Sequence, residues 1–583
     1  MTAISQTSPA HQSYIKPRKK LGEALIDQGL IKPHELEVAL LQQKQHPNKK
    51  LGRILVENWF VTDIELYDIL LEENHFDGIT DEVCMTPSCP VDVLEELSAI
   101  ILMEAKEVVF YSTMGNRIEA EAKLRKHYRK ARLVHRTTSM DLISETLTKL
   151  KTNRTRQQSD IGGLLEKAIA MGVSDFKLML VSDTYFVQGR YLGDLSMIQS
   201  GSAEEYHKLM SKLKELSGID TSDKLHPGDG GFTYEYNGVK IDLRVATIPC
   251  EGGNTATVRI LDPSNLVTKL KYLGITDLKE WVKAINRPDG LIFIVGPTGS
   301  GKTTSLNTSI RELDRLENSI LTAENPIEYR IPFVHQMQIN ELDNLNFVDA
   351  VRAFLRSDPD YIVVGEVRDE ETGSIVIRAG ESAHTVLGTL HCQTIKSVVG
   401  RLRTIGIRPE QYKDLLRGVL AQKLIKVACR TCFGEKIVND EECADCGGLG
   451  HIDRTTVSEC AYIHDETDFQ RLLDGEIWWA TMCEDAIGKI FSRVTTRKYV
   501  IDEFREEATR ILARIDNGDL ALKEKIVAHA AKGDLLREGV GSMLEKGEGP
   551  DAIENAYGEV GLYILSNNLY VKPLNSSFLA GGR

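Results

Sequence analysis

No apolar run in this chain reaches 18 residues, the length at which a transmembrane helix becomes a candidate. The first twenty residues, "MTAISQTSPAHQSYIKPRKK", lack the apolar core of a secretory signal. Both absences predict a cytosolic protein that meets a membrane only through partners. Surplus positive charge is also missing, since 71 Lys and Arg against 85 Asp and Glu leave a formal net charge of −14. Neutralising phosphate backbones needs an excess of Lys and Arg, so a general nucleic-acid binder is excluded. One basic run, "RKHYRKAR" over 125–132, reads as a solvated helix face. Cysteine is sparse: of ten, four form two C-x-x-C units and the rest are scattered, which suits a metal site better than a disulfide framework.

What is present is globular in character, with 42% hydrophobic and 27% charged residues. At 583 residues the chain exceeds a single hydrophobic core and implies roughly three to five domains. Near the start, "LGEALIDQGLIKPHELEVALLQQ" and "LGRILVENWFVTDIELYDILLEE" coincide at Leu21/Leu51, Gly22/Gly52, Leu25/Leu55, Glu35/Glu65 and Leu36/Leu66. Each copy reads as a helix-turn-helix that buries its apolar stripe against the other. Pro33, and Thr62 with Glu65, mark where the second helix of each copy begins.

The spacing of apolar and polar residues divides the chain further. An all-α module occupies 1–80, a second part of the N-terminal domain 81–150, and the polar stretch "KTNRTRQQSD" a linker at 151–160. Residues 161–265 mix a helix with alternating strands such as "GVKIDLRVATIP", an α+β domain. Over 266–428 apolar strands alternate with helices, the signature of a parallel sheet covered on its faces. A tetracysteine element (429–450) and a charged, helical C-terminal region (451–583) follow.

Directly after the apolar "GLIFIV", the stretch "GPTGSGKT" matches G-x-x-x-x-G-K-[ST] at every required position. Its glycines let successive amides point at phosphate oxygens, and the following helix adds its positive end. Gly296, Pro297, Thr298, Gly299, Ser300, Gly301, Lys302, Thr303 and Thr304 are therefore expected to cradle ATP. Lys302 would reach the β and γ phosphates, and the Thr303 hydroxyl would ligate Mg²⁺.

Downstream, "DPDYIVVGEVRDEETG" sets Glu366 and Asp369 past the carboxyl end of a buried strand, where open α/β sheets bind ligands. Glu366 is the expected partner of Mg²⁺ or its water. "LTAENPIEY" offers Glu324 and Glu328. Glu324 is the preferred general base, although the sequence does not separate its role from that of Glu366. In "SAHTVLGTLH", His384 and His391 flank a strand at an odd spacing, so at most one of them faces the nucleotide.

Taken in order, "GPTGSGKTT", "AENPIEY", "LRSDPDYIVVGEVRDEET", "SAHTVLGTLH" and "CRTC…CADC" resemble the type II secretion and type IV pilus assembly ATPases over roughly residues 160–460. The resemblance implies a RecA-like P-loop core preceded by a PAS-like α+β domain. It also implies a cytoplasmic homo-hexamer hydrolysing ATP to drive an inner-membrane platform protein, with a cytoplasmic-side accessory protein as a further partner. Arginines at the positions of Arg244 and Arg259 approach the phosphates in that family, across a subunit junction. His384 and His391 match its histidine box. Asn325 stands where the family usually has Asp, Gly231 where it has Arg, and Phe176-Lys177 where it has Ile-His, which marks a divergent subfamily.

The N-terminal repeat resembles a module that binds cyclic di-GMP in some members through an Arg-Leu-Gly start. Here Lys20-Leu21-Gly22 and Lys50-Leu51-Gly52 argue against that ligand and for docking to the platform protein. Cys429, Cys432, Cys443 and Cys446 have the spacing of a closed, structural Zn²⁺ site. In the family that element accompanies assembly motors, which favours extension over the alternatives of a retraction motor or a non-hydrolysing, nucleotide-gated scaffold.

Overall fold

The computed structural model describes residues 20–46, 49–62 and 161–571, apart from 237–238, 264–266, 268 and 341–344, with parts of 65–147. The expected linker at 151–160 lies outside the described residues. The chain divides into two compact units, Met1–Asp81 and Glu82–Arg583.

In the first unit, helices Leu21–Asp27, Pro33–Gln45 and Leu51–Glu57 follow the repeat. Pro33 opens its helix, and the Glu35 carboxylate accepts the Lys32 amide at 2.7 Å. In the second copy the Thr62 amide donates to Glu65 and the Glu65 amide to the Thr62 hydroxyl, both at 3.1 Å, a reciprocal cap. The repeated Leu-Gly has a steric reason. A Cβ on Gly22 would lie 2.5 Å from Leu36 Cδ1, and one on Gly52 2.9 Å from Leu66 Cδ2, so each copy needs a bare α-carbon where its two helices meet. The copies are joined by an Asn58-to-Gln42 side-chain hydrogen bond of 2.7 Å. The left-handed backbone that Gly29 supplies in the first copy (φ 67°) falls to Trp59 in the second (φ 59°).

In the second unit, helix Val91–Glu96 precedes a three-stranded sheet of β1 (Ala99–Glu104), β2 (Glu107–Ser112) and β3 (Arg132–Thr137). Six antiparallel strands follow: β4 (Asp175–Val181), β5 (Thr184–Tyr191), β6 (Asp194–Ser202), β7 (Gly228–Tyr236), β8 (Val239–Cys250) and β9 (Gly253–Leu261). They lie in the order β6-β5-β4-β9-β8-β7. Alternation along the strands turns Phe176, Leu178, Leu243, Val245 and Val258 toward helices Ile161–Ala170 and Ala203–Ser217. Arg244 on β8 and Arg259 on β9 are direct cross-strand partners, in register between those buried positions.

The third sheet carries the phosphate loop. Its strands are β10 (Gly290–Val295), β11 (Ile320–Glu324), β12 (His335–Gln338), β13 (Tyr361–Val364), β14 (Thr385–Leu390) and β15 (Leu416–Ala428). After β15 come the short β16 (Ile437–Val438) and β17 (Glu441–Glu442) of the cysteine element, and then β18 (His451–Tyr462). The order is β12-β11-β13-β14-β10-β15-β18. Every pairing in it is parallel except β15 with β18. Strands β10, β11, β13 and β14 are buried along their whole length, as a sheet covered on both faces must be. All parallel strands then end at one edge, where Val295, Glu324, Val364 and Leu390 sit.

Residues 451–462, expected in the helical C-terminal region, instead form β18 and complete this sheet. Their β-branched and aromatic content ("HIDRTTVSECAY") and the long partner β15 outweigh the surrounding helical pattern. Beyond them, helices Met482–Phe491, Arg497–Phe504 and Glu506–Asp516 pack on Ile425 and Val457 of the sheet. Helices Leu520–Ala530, Asp534–Glu545 and Pro550–Ser566 gather around a separate core of Val540, Ile553, Val560 and Ile564. Among the described residues, no helix is long and apolar enough to cross a membrane.

Candidate active site

The loop after β10 is shaped by Gly299 (φ 79°) and Gly301 (φ 86°), both in left-handed backbone that only glycine adopts freely. Gly301 caps the helix Lys302–Glu312, so the free amides of its first turn face the strand edge. The Lys302 ammonium folds over the loop and donates to the Gly296 and Pro297 carbonyls at 2.8 and 3.0 Å. Burial lowers its pKa, against the pull of Glu366. Beneath the loop, Gln422 on β15 donates to the Ser300 carbonyl at 2.7 Å.

Glu366 lies past the end of β13 and pairs with Arg368 and with His391 Nε2, the latter at 2.9 Å. Burial opposes its ionisation, but Arg368, His391 and Lys302 prevail and hold the carboxyl below its usual range. His391 follows β14 at the same edge; burial and Lys302 lower its pKa more than Glu366 raises it. Asp369 is occupied as a helix cap, accepting the Thr372 amide at 2.8 Å.

The two glutamates of "AENPIEY" have different surroundings. Glu324 is buried at the end of β11, where one oxygen accepts from Thr322 Oγ1 (2.7 Å) and Gln336 Nε2 (2.9 Å). Burial raises its pKa despite those bonds. Glu328, further along the same segment, is half-buried and feels the charges of both Arg259 and Arg244. Burial raises its pKa too, and the two arginines oppose that rise. Arg244 donates to the Ile327 carbonyl at 2.9 Å. Arg244 therefore reaches the segment after β11 from within its own chain.

Glu366 and His391 thus pair at the strand edge beside Lys302, and Glu328 lies within the electrostatic reach of Arg244 and Arg259. His384 joins neither. It precedes β14, and its backbone carbonyl accepts from the Gly290 amide at the opposite edge of the sheet. Seven rises of ~3.3 Å along the strand separate it from His391 by about 23 Å. Its ring nitrogen instead faces the Ala379 carbonyl at 3.3 Å.

The arrangement can grip an anion with backbone amides and one ammonium, offers an ionised carboxylate at Glu366, and presents at Glu328 a half-buried carboxylate of raised pKa within reach of two guanidinium charges. Sequence reasoning ranked Glu328 below Glu324 and passed over Gln422. For Gln422 the signal was a lone uncharged polar residue amid the apolar "GVLAQKLIKVA".

The four cysteines form a site apart. Cys429, Cys432, Cys443 and Cys446 are all buried, and their sulfurs lie within 4.8 Å of one another. Cys429 and Cys443 are 3.8 Å apart, Cys432 and Cys446 3.6 Å. A tetrahedral Zn²⁺ with bonds of about 2.3 Å spaces its sulfurs by about 3.8 Å, so the donor set fits that ion. The Gly450 amide donates to Cys446 Sγ at 3.2 Å.

A family model described as "Type II/IV secretion system protein" matches residues 153–496. The "Type II secretion system protein E" of Dickeya dadantii is 32% identical over 378 residues, covering 60% of this chain and 75% of that protein. The "Type II secretion system ATPase E" of Vibrio cholerae is 31% identical over 421 residues, covering 66% and 83%. Among solved structures, the Legionella pneumophila ATPase DotB aligns with a TM-score of 0.47 at 23% identity, over 59% of this chain and 95% of that one. With a matching family model over more than half its length and the loop, carboxylates and arginines gathered at one sheet edge, the chain belongs to the Type II/IV secretion system protein family.

Proposed function

We propose that the chain is an ATP hydrolase, the hexameric cytoplasmic motor that assembles a type IV pilus or a type II secretion pseudopilus by driving an inner-membrane platform protein. The carrying observation is that Arg244 of the preceding domain donates to the Ile327 carbonyl, next to Glu328, at the strand edge that carries the phosphate loop. A movement of that domain is thereby tied to the nucleotide site. Residues 266–428, extended by β18, serve as the RecA-like motor and 161–265 as the PAS-like domain. The 1–80 module docks to the platform protein, and a cytoplasmic-side accessory protein is a further partner.

In this reading the amides from Gly296 to Thr304 and the helix end hold the phosphates, with Lys302 at the β and γ positions. Thr303 and Glu366 would hold Mg²⁺. The bound Mg²⁺–ATP supplies the phosphoanhydride and the charge neutralisation that phosphoryl transfer needs. Glu366 stays ionised under Arg368 and His391. Glu328 orients water and takes its proton, a role that its raised pKa suits. Arg244 and Arg259 supply fixed positive charge. Zn²⁺ in the four thiolates would lock the turn between β15 and β18, and by family resemblance this element favours extension over retraction.

Steady-state ATP hydrolysis tests the proposal. Wild type should turn over, and Lys302→Ala and Glu366→Gln should each lose on the order of a hundredfold or more. Absence of wild-type turnover, alone and with the platform partner added, would instead establish a non-hydrolysing scaffold.

A further inference from the structure

The loop contains a choice that its own residues do not make. A trans peptide is planar, so the Ser300 carbonyl and the Gly301 N–H point in opposite directions. In one orientation the N–H faces the anion site; flipped, the carbonyl oxygen does. Glycine tolerates either sign of φ, so Gly301 cannot hold its observed φ of 86° against the flipped state by sterics alone.

The contact that decides comes from β15. Gln422 is fully buried, and its Nε2 donates to the Ser300 carbonyl at 2.7 Å. A carbonyl only accepts, so the amide must present its NH₂ there. Among the described residues the Gln422 Oε1 has no hydrogen-bond partner, which leaves donation to the loop as this side chain's polar contact. The fit is close at both ends of the loop. A Cβ on Gly301 would lie 3.2 Å from Gln422 Nε2, and one on Gly296 2.5 Å from the Gln422 backbone oxygen.

We propose that Gln422 is a positioning residue of the phosphate loop: by holding the Ser300 carbonyl down toward β15, it keeps the Gly301 N–H turned to the phosphates. The inference rests on the reading of this loop as a nucleotide site. Without the donor, the buried carbonyl is unsatisfied and regains a partner by turning toward the site, where it repels phosphate oxygens.

The test is Gln422→Met, which conserves volume but donates nothing, alongside Gln422→Glu, which is isosteric but offers only acceptors when ionised. ADP affinity is measured by calorimetry with magnesium on the full chain, with melting temperature as the check of fold. Gln422→Met should raise the ADP Kd and the ATP KM by about tenfold while kcat at saturation changes by less than about threefold, the pattern of lost uniform binding. Gln422→Glu should lose more, since its carboxylate faces a carbonyl oxygen. Melting should change little in Gln422→Met, because that variant also removes the unpaired Oε1. If Gln422→Met does not fold, Gln422→Asn, whose amide is one methylene short, carries the same expectation. An ADP Kd within about twofold of wild type in folded variants overturns the proposal. A wild type that binds no ADP overturns the underlying nucleotide reading instead.

Discussion

The two glutamates of "AENPIEY" are two candidates for one role, the general base, and they differ in their surroundings. Glu328→Gln keeps the same volume, so it removes charge and basicity with little change of shape. A positioned general base contributes typically 10²- to 10⁴-fold, or about 2.7–5.4 kcal/mol of transition-state stabilisation. The expected result is a fall in kcat of that size with KM for ATP within a few-fold. Glu324→Gln also retains the oxygen that Thr322 and Gln336 address, and its kcat should stay within about tenfold of wild type. Burial raises the Glu328 pKa, and the base must be ionised, so the acid limb of kcat/KM should lie above the ordinary carboxylate range, with activity falling as pH falls through it. Arg259→Ala removes an influence that lowers this pKa and should move the limb to higher pH. Single-turnover and steady-state hydrolysis across pH measure all three variants. Loss of turnover in Glu324→Gln with Glu328→Gln near wild type would refute the assignment.

Three further outcomes are expected. Asp485 is buried against Thr276 (2.6 Å), the Ser458 amide (3.0 Å), Lys489 (3.5 Å) and His529 (3.4 Å), and Asp485→Asn leaves Lys489 uncompensated, so denaturant unfolding should show a loss of about 3–5 kcal/mol. Although burial opposes it, the lysine and histidine bring the Asp485 pKa down to about 2; its stabilisation is therefore complete above the ordinary carboxylate pKa, is lost as pH falls toward about 2, and this acid limb should be absent from the variant. The purified chain should carry about one tightly held zinc ion per chain, with Cys443→Ser abolishing it and lowering the melting temperature; metal-free wild type with unchanged melting would contradict the site. Gly22→Ala must push Leu36 aside and should cost the N-terminal module about 1–3 kcal/mol, read by the urea midpoint of its helical signal, whereas an unchanged midpoint would mean the helices re-pack freely.

Much of this molecule was legible because its patterns are local. The phosphate loop needs glycines at fixed offsets after an apolar strand, and a repeat shows itself by coincidence of residues, so Gly296–Thr304 and the two Leu-Gly starts could be found without coordinates. Four thiols in two C-x-x-C units are likewise legible, since each pair sits on one short turn. What depends on where strands end in space was not. His384 and His391 bracket β14, and only knowledge of which end of that strand meets the loop tells them apart. Glu324 and Glu328 differ through their surroundings, a hydrogen bond from Gln336 to the first and the charge of Arg259, on another domain, acting on the second. β18 was hidden because its sheet partner β15 lies beyond the cysteine element, and Gln422 because a buried polar residue reveals its purpose only through the carbonyl above it.

Calorimetric titration of the intact chain with ATP and magnesium, at a pH where Glu366 is ionised, tests the central claim most directly. The account predicts saturable heat from one class of site that disappears in Lys302→Ala; no heat in wild type, or equal heat in both proteins, would contradict it.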